Sequence, residues 1–169
     1  MDETTLTLDP PLRACWMKVR QQKRIPATQP GSKQRRHVFA GYNWRNDTVT
    51  WTVAETKNSS DFIHFLEHLL IEEYPTGRVV LVMDNASYHK SASALAALSL
   101  FEHRILVIWL PTYCSDLNQI ERFWRHLKDL ACVNKLHDKI DIVVNVAERI
   151  LREQNMPGSS LRFHVSKNL

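Results

Sequence analysis

The sequence predicts a mixed α/β sheet in which antiparallel strands come first and parallel strands follow, flanked by helices. Two observations carry this. Residues 37–44 and 48–55 alternate apolar and polar residues and are joined by Arg45-Asn46-Asp47, a hairpin pattern. Residues 78–84 and 104–110 are continuous apolar runs either side of an Ala-rich helical stretch, as parallel strands covered on both faces should be. The length, 169 residues, suits one domain of ordinary size.

The elements follow in order. Residues 3–8, "ETTLTL", alternate and form a first strand. Residues 9–34 hold Pro10, Pro11, Pro26, Pro30 and Gly31 and are mostly loop. In the second hairpin arm Val49, Trp51 and Val53 share one face, with Thr48, Thr50 and Thr52 on the other. "SSDFIHFLEHLLIEEY" (59–74) is an amphipathic helix with Ser59, Ser60 or Asp61 as its cap. Its buried stripe is Phe62, Phe65, Leu66, Leu69 and Leu70, and Pro75 and Gly77 end it. After the strand 78–84 come a helix at about 92–102 and the strand 104–110. Asp116 caps a further helix, with Gln119 three residues on in a box-like arrangement. Glu121 is expected in the second turn of that helix, and Ile120, Phe123, Trp124, Leu127 and Leu130 form its core face. A last helix, 138–154, buries Ile140, Val143, Val144, Ala147, Ile150 and Leu151.

Composition narrows the function. The apolar fraction is 44%, normal for a globular core, and no apolar run is long enough to span a bilayer. The acidic start, Met1-Asp2-Glu3, resembles neither a signal nor a transit peptide. Cys15, Cys114 and Cys132 are odd in number and far apart, which reads as reduced thiols in a cytoplasmic protein. From Pro10 to Asn46 there is no Asp or Glu, against nine Lys and Arg. Lys18, Arg20, Lys23, Arg24, Lys33, Arg35 and Arg36 thus make a basic loop suited to nucleic acid, the alternative being a solvated basic segment.

The chemistry centres on "VVLVMDNASYHKS" (79–91), an apolar strand that ends on Asp84 with Asn85, Ser87, Tyr88 and His89 behind it. Reactive groups collect beyond the carboxyl ends of central parallel strands. The loop after 104–110 delivers Glu121 to the same edge, and Asp2 joins them if the first strand neighbours 78–84. Clustered carboxylates repel one another, and a hard divalent cation relieves that repulsion. Oxygen-only ligands fit two Mg²⁺ or Mn²⁺ ions rather than zinc, the equipment of phosphodiester displacement. Asp84 also suits a strand-end turn, but the Glu121 motif beside it favours the ligand. Glu121 can pair with Arg125 at i+4, the expected resting state without metal. Asn85 and His89 either support the ligands from behind or touch DNA. Asn118 is read first as a helix-start hydrogen bonder. Arg122, Arg125 and Lys128 flank Glu121 and suit phosphate contact.

"VMDNASYH" followed by "LPTYCSDLNQIERFWRHLK" resembles the catalytic domain of DDE-type transposases, in the insertion-sequence branch related to mariner elements. Leu110, Pro111, Tyr113, Leu117, Asn118, Ile120, Glu121, Trp124 and Lys128 match the family's second motif, and "MDETTL" is similar to its first acidic strand. The resemblance covers essentially the whole chain, residues 1–169, as a single domain. It implies a ribonuclease-H-like fold, with Asp2, Asp84 and Glu121 holding the metals. It also implies cutting of transposon ends, joining of the 3′-hydroxyl to target DNA, and a homodimer on paired ends. The family's Ser-Pro is Cys114-Ser115 here, and its Pro before Ile-Glu is Gln119. The relatives' N-terminal helix-turn-helix region is expected to be absent. Asp2, near the start of its strand, is expected to fray and to bind metal weakly. A catalytically weak or inactive remnant that binds DNA or a partner is the alternative reading. A zinc protease is a further one, since "HFLEH" (64–68) has an inverted zinc-binding spacing, on what reads as the wet face of its helix.

Overall fold

The computed structural model describes residues 1–9, 11–22, 24, 33–111, 117–160, 162 and 163. Strand β1 (Asp2–Thr7) pairs antiparallel with β2 (Arg35–Asn43), which pairs antiparallel with β3 (Thr48–Ala54). Strand β4 (Val79–Met83) runs parallel to β5 (Ile105–Trp109), with Met83 opposite Trp109. The Met1 nitrogen donates to the Val82 carbonyl at 2.6 Å, which sets β1 beside β4. The antiparallel-then-parallel order is the one the sequence predicts.

The strands form two sheets, β1-β2-β3 and β4-β5, and two helical layers pack on them. On one face, α1 (Ser59–Glu67) and α2 (Ala92–Leu100) bury Phe62, Phe65, Leu66, Ala94 and Leu98 against Phe39, Leu81, Met83 and Ile105. On the other, α3 (Ile120–Ala131) and α4 (Ile140–Asn155) bury Phe123, Leu127, Val143 and Leu151 against Leu6, Val38, Ala40 and Val49. Consecutive residues of β2 therefore serve opposite cores, as a period of two dictates.

Several local details differ from the sequence reading. The cap of α1 is Asn58, whose side chain accepts from the Asp61 N–H at 3.0 Å. An acceptor one residue ahead of the helix reaches its orphan donors better than Ser59, Ser60 or Asp61, all three of which are already within it. Residues His68–Glu73 continue as a π-helical turn, with the Tyr74 N–H bonding the Leu69 carbonyl. Arg104 closes that end: its guanidinium donates to the carbonyls of Leu70, Tyr74 and Gly77. Gln119 makes no side-chain capping bond at α3, and Asp116 lies outside the described residues. The apolar runs of β4 and β5 are not covered on both faces. Val80, Leu106 and Ile108 are 57%, 60% and 45% exposed, because α3 and α4 pack across β1, β2 and β3 instead. Among the described residues no helix is long and apolar enough to cross a membrane.

Candidate active site

The site forms where β1, β4 and α3 meet. Alternation along β1 sends Asp2 toward α3 and Glu3 toward α1 and α2. Asp2 is buried, pairs with Ala40 in the β1–β2 ladder, and accepts a hydrogen bond at Oδ2 from the Trp124 indole at 3.0 Å. The expected fraying is therefore corrected: ladder pairing, burial and an indole donor hold Asp2 in place. Burial, and then the charges of Glu3, Glu121 and Asp84, push its carboxyl up to about 7. Asp84 follows β4 and is half-exposed; its Oδ1 accepts from the Ala86 N–H at 3.0 Å and faces His89 Nδ1 at 3.0 Å.

Glu121 is exposed and stands in the first turn of α3, not the second, because the helix begins at Ile120. Its N–H bonds the Asn118 carbonyl at 3.0 Å. The buried Asn118 side chain donates to the Met1 carbonyl at 3.2 Å, which ties the start of α3 to β1. Asn85 donates to the Leu110 carbonyl, joining the ends of β4 and β5. Ion pairs at i,i+4 form at His68–Glu72 and Glu148–Arg152, whereas Glu121 forms none with Arg125 among the described residues. Asp84 and Glu121 both lie near enough to Asp2 to raise its carboxyl. No group of three His, Cys, Asp or Glu among the described residues is drawn tightly enough to hold a metal ion as it stands. The donor chemistry nonetheless fits a hard cation, since a divalent charge would relieve the repulsion among three carboxylates.

A groove of about 450 Å³ opens beside Glu121, lined by Arg13, Asn118, Arg122, Trp124, Arg125 and Lys128. Arg13 is held at its rim by Asp129 and by Asn134, whose side chain bonds both the N–H and the carbonyl of Arg13. Lys18, Arg20, Arg24, Lys33 and Arg35 are exposed; Lys23 lies outside the described residues. Arg36 is half-buried and matched by Glu55 at 3.3 Å and Asp141 at 3.7 Å, so it presents less charge than the loop around it. The "HFLEH" face is a surface: His64 is exposed and His68 binds Glu72 at 2.9 Å.

Sequence reasoning names His89 and misses two contributors, Glu3 and Trp124. His89 is fully buried and cannot touch DNA; its other ring nitrogen faces Glu3 Oε1 at 2.8 Å. The sequence marks Glu3 only as part of an acidic start and an alternating strand. Burial by itself would raise its carboxyl. Hydrogen bonds from His89 and Tyr88, with the charges of His89 and Lys57, outweigh that and hold it below the usual range. Trp124, whose helical spacing marks it only as core, supplies the donor to Asp2. The available clue was an acidic pair at the start of a strand that both helical layers cover.

Residues 1–143 match the family described as DDE superfamily endonuclease. A Shigella sonnei protein described as an insertion element IS630 uncharacterized 39 kDa protein is 28% identical over 128 residues, 76% of this chain and 36% of that protein. The chain therefore spans about a third of the length of that curated relative. Among solved structures, the Mos1 transposase paired-end complex with left transposon end aligns with a TM-score of 0.71 at 15% identity, over 99% of this chain and 50% of that one. The Mos1 mariner paired end complex with Mn aligns at 0.70 and 16% identity, over 98% and 50%. At that identity the likeness speaks to the fold, which is the ribonuclease-H-like one.

Proposed function

From the premise that the chain belongs to the DDE superfamily endonucleases, we propose that residues 1–169 form the catalytic domain of an insertion-sequence transposase. It cuts transposon ends and joins the freed 3′-hydroxyl to target DNA, acting as a homodimer on paired ends. What supports this reading is that Asp84 and Glu121 lie near enough to Asp2 to raise its carboxyl, with a basic groove beside Glu121.

Asp2, Asp84 and Glu121 would hold two Mg²⁺ or Mn²⁺ ions. When bound, such ions activate the attacking oxygen and stabilise the leaving one in a phosphodiester displacement. The chain's own residues do the rest. Trp124 fixes Asp2 from below, and Asn118 fixes the start of the helix carrying Glu121. Arg122, Arg125 and Lys128 line the groove where a phosphate backbone would lie. The exposed Lys18, Arg20, Arg24, Lys33 and Arg35 extend the positive field away from it.

The test is a nicking and strand-transfer assay on labelled DNA with Mg²⁺ or Mn²⁺, comparing wild type with Asp84→Asn. Metal-dependent cleavage, lost in Asp84→Asn while DNA binding is kept, supports the reading. Salt-sensitive DNA binding that Asp84→Asn leaves intact, with no cleavage under either metal, would identify a binding remnant instead.

A further inference from the structure

Glu3 is the most completely enclosed acid of the site, with a side chain 1% exposed. Both of its oxygens are engaged. Oε1 faces His89 Nε2 at 2.8 Å, while Oε2 accepts from the Tyr88 hydroxyl and lies 3.3 Å from Lys57 Nζ. His89 is locked in turn, with the Phe62 ring 4.5 Å away and the Tyr88 ring 4.4 Å away between centroids. Its second nitrogen reaches Asp84 Oδ1 at 3.0 Å. A continuous chain therefore runs from β1 through a buried imidazole to the carboxylate at the end of β4.

A buried bridge of this kind is a poor way to gain stability. Desolvating the charges offsets much of their attraction, and apolar packing of equal volume often does as well. Its geometry does something apolar packing could not. Asp84 Oδ1 is taken by His89 and by the Ala86 N–H, so the carboxylate cannot spin, and Oδ2 is the oxygen left for a ligand. Glu3 cannot reach that place itself, because it points to the opposite face of β1 from Asp2.

We propose that Glu3 is a positioning residue which, through His89, fixes the Asp84 carboxylate so that Oδ2 is presented to a divalent cation. The inference rests on the metal-dependent reading above. The same chain then also sets the distance between β4 and β1, so the acids of the two strands move as one unit.

The experiment is calorimetric titration of the purified chain with Mn²⁺, for wild type, Asp84→Asn, Glu3→Gln and Glu3→Met, with folding checked by thermal unfolding. Gln keeps an acceptor for His89; Met keeps the volume and removes it. The expected result is a loss of Mn²⁺ binding in Asp84→Asn, about 10–100-fold weaker binding in Glu3→Met, and binding within about threefold of wild type in Glu3→Gln. If Glu3→Met does not fold, His89→Phe, which keeps a ring against Phe62, reads the same quantity and the same weakening is expected. Equal weakening in Glu3→Gln and Glu3→Met would mean that Glu3 acts through its charge, which overturns the proposal. Binding lost in Asp84→Asn but unchanged in both Glu3→Met and His89→Phe would leave the metal reading standing and reduce the bridge to packing, which also overturns it. Mn²⁺ binding indifferent to Asp84→Asn would remove the metal reading and this inference with it.

Discussion

Asp2 and Glu3 are neighbours in sequence with opposite electrostatic fates. The Trp124 indole and the Glu3 backbone N–H donate to Asp2, but burial and three acidic neighbours outweigh them and push its carboxyl up to about 7. Glu3 has His89, Tyr88 and Lys57 around it, and they outweigh its burial. The consequences for stability run in opposite directions. Folded Asp2 keeps its proton to about pH 7, while the unfolded chain releases it in the ordinary carboxylate range. Its contribution is therefore full below that range and is lost as pH rises through about 7. Glu3, held low, contributes above the ordinary range and loses that contribution as pH falls through its lowered value. Asp2→Asn is expected to raise stability at pH 8 in metal-free buffer by on the order of 2 kcal/mol, with no gain at pH 4. Urea unfolding midpoints at the two pH values measure this. An equal effect at both would show that Asp2 is ionised throughout.

At the scale of elements, the site depends on how helix α3 is seated. Its apolar face, with Phe123 and Leu127 fully buried, fixes its roll against β1 and α4. The position of its first turn depends on a smaller device, the Asn118 side chain bonded to the Met1 carbonyl. Asn118→Ala removes one hydrogen bond and is expected to cost about 1 kcal/mol of stability. Because Glu121 stands in the first turn of α3, the loss of DNA cleavage is expected to be larger than that cost explains, about 10-fold or more. Steady-state cleavage beside thermal unfolding separates the two effects. Cleavage equal to wild type would show that α3 is seated by its apolar face alone.

Over the whole molecule, the two helical layers pack on a three-stranded antiparallel sheet and a two-stranded parallel one, and a basic groove opens beside the start of α3. The basic groove and the basic loop predict that the proposed binding to DNA is salt-dependent. Each phosphate contact adds about 0.9 to the slope of log affinity against log salt. Replacing the exposed Lys18, Arg20 and Arg24 together with Ala is expected to flatten that slope by about 2–3 and to weaken all sequences alike. Fluorescence anisotropy across a salt series checks it. An unchanged slope would mark these residues as a solvated segment with no part in binding.

The sequence alone determined the element order and the buried helix faces, because those rest on local periodicity and on residues adjacent in the chain. Alternation in 37–44 and 48–55 needed no distant partner to be read, and neither did the apolar stripe of 59–74. Tertiary structure decided what depended on distant partners. Asp2 is held firmly because Trp124 reaches it from a helix 122 residues away. His89 faces inward because Glu3, 86 residues earlier in the chain, supplies the second carboxylate that its ring bridges. The outer faces of Val80, Leu106 and Ile108 stay open because α3 and α4 settle on the antiparallel strands. A hydrogen bond or a burial of that kind is a property of two segments at once, and neither segment's own pattern contains it.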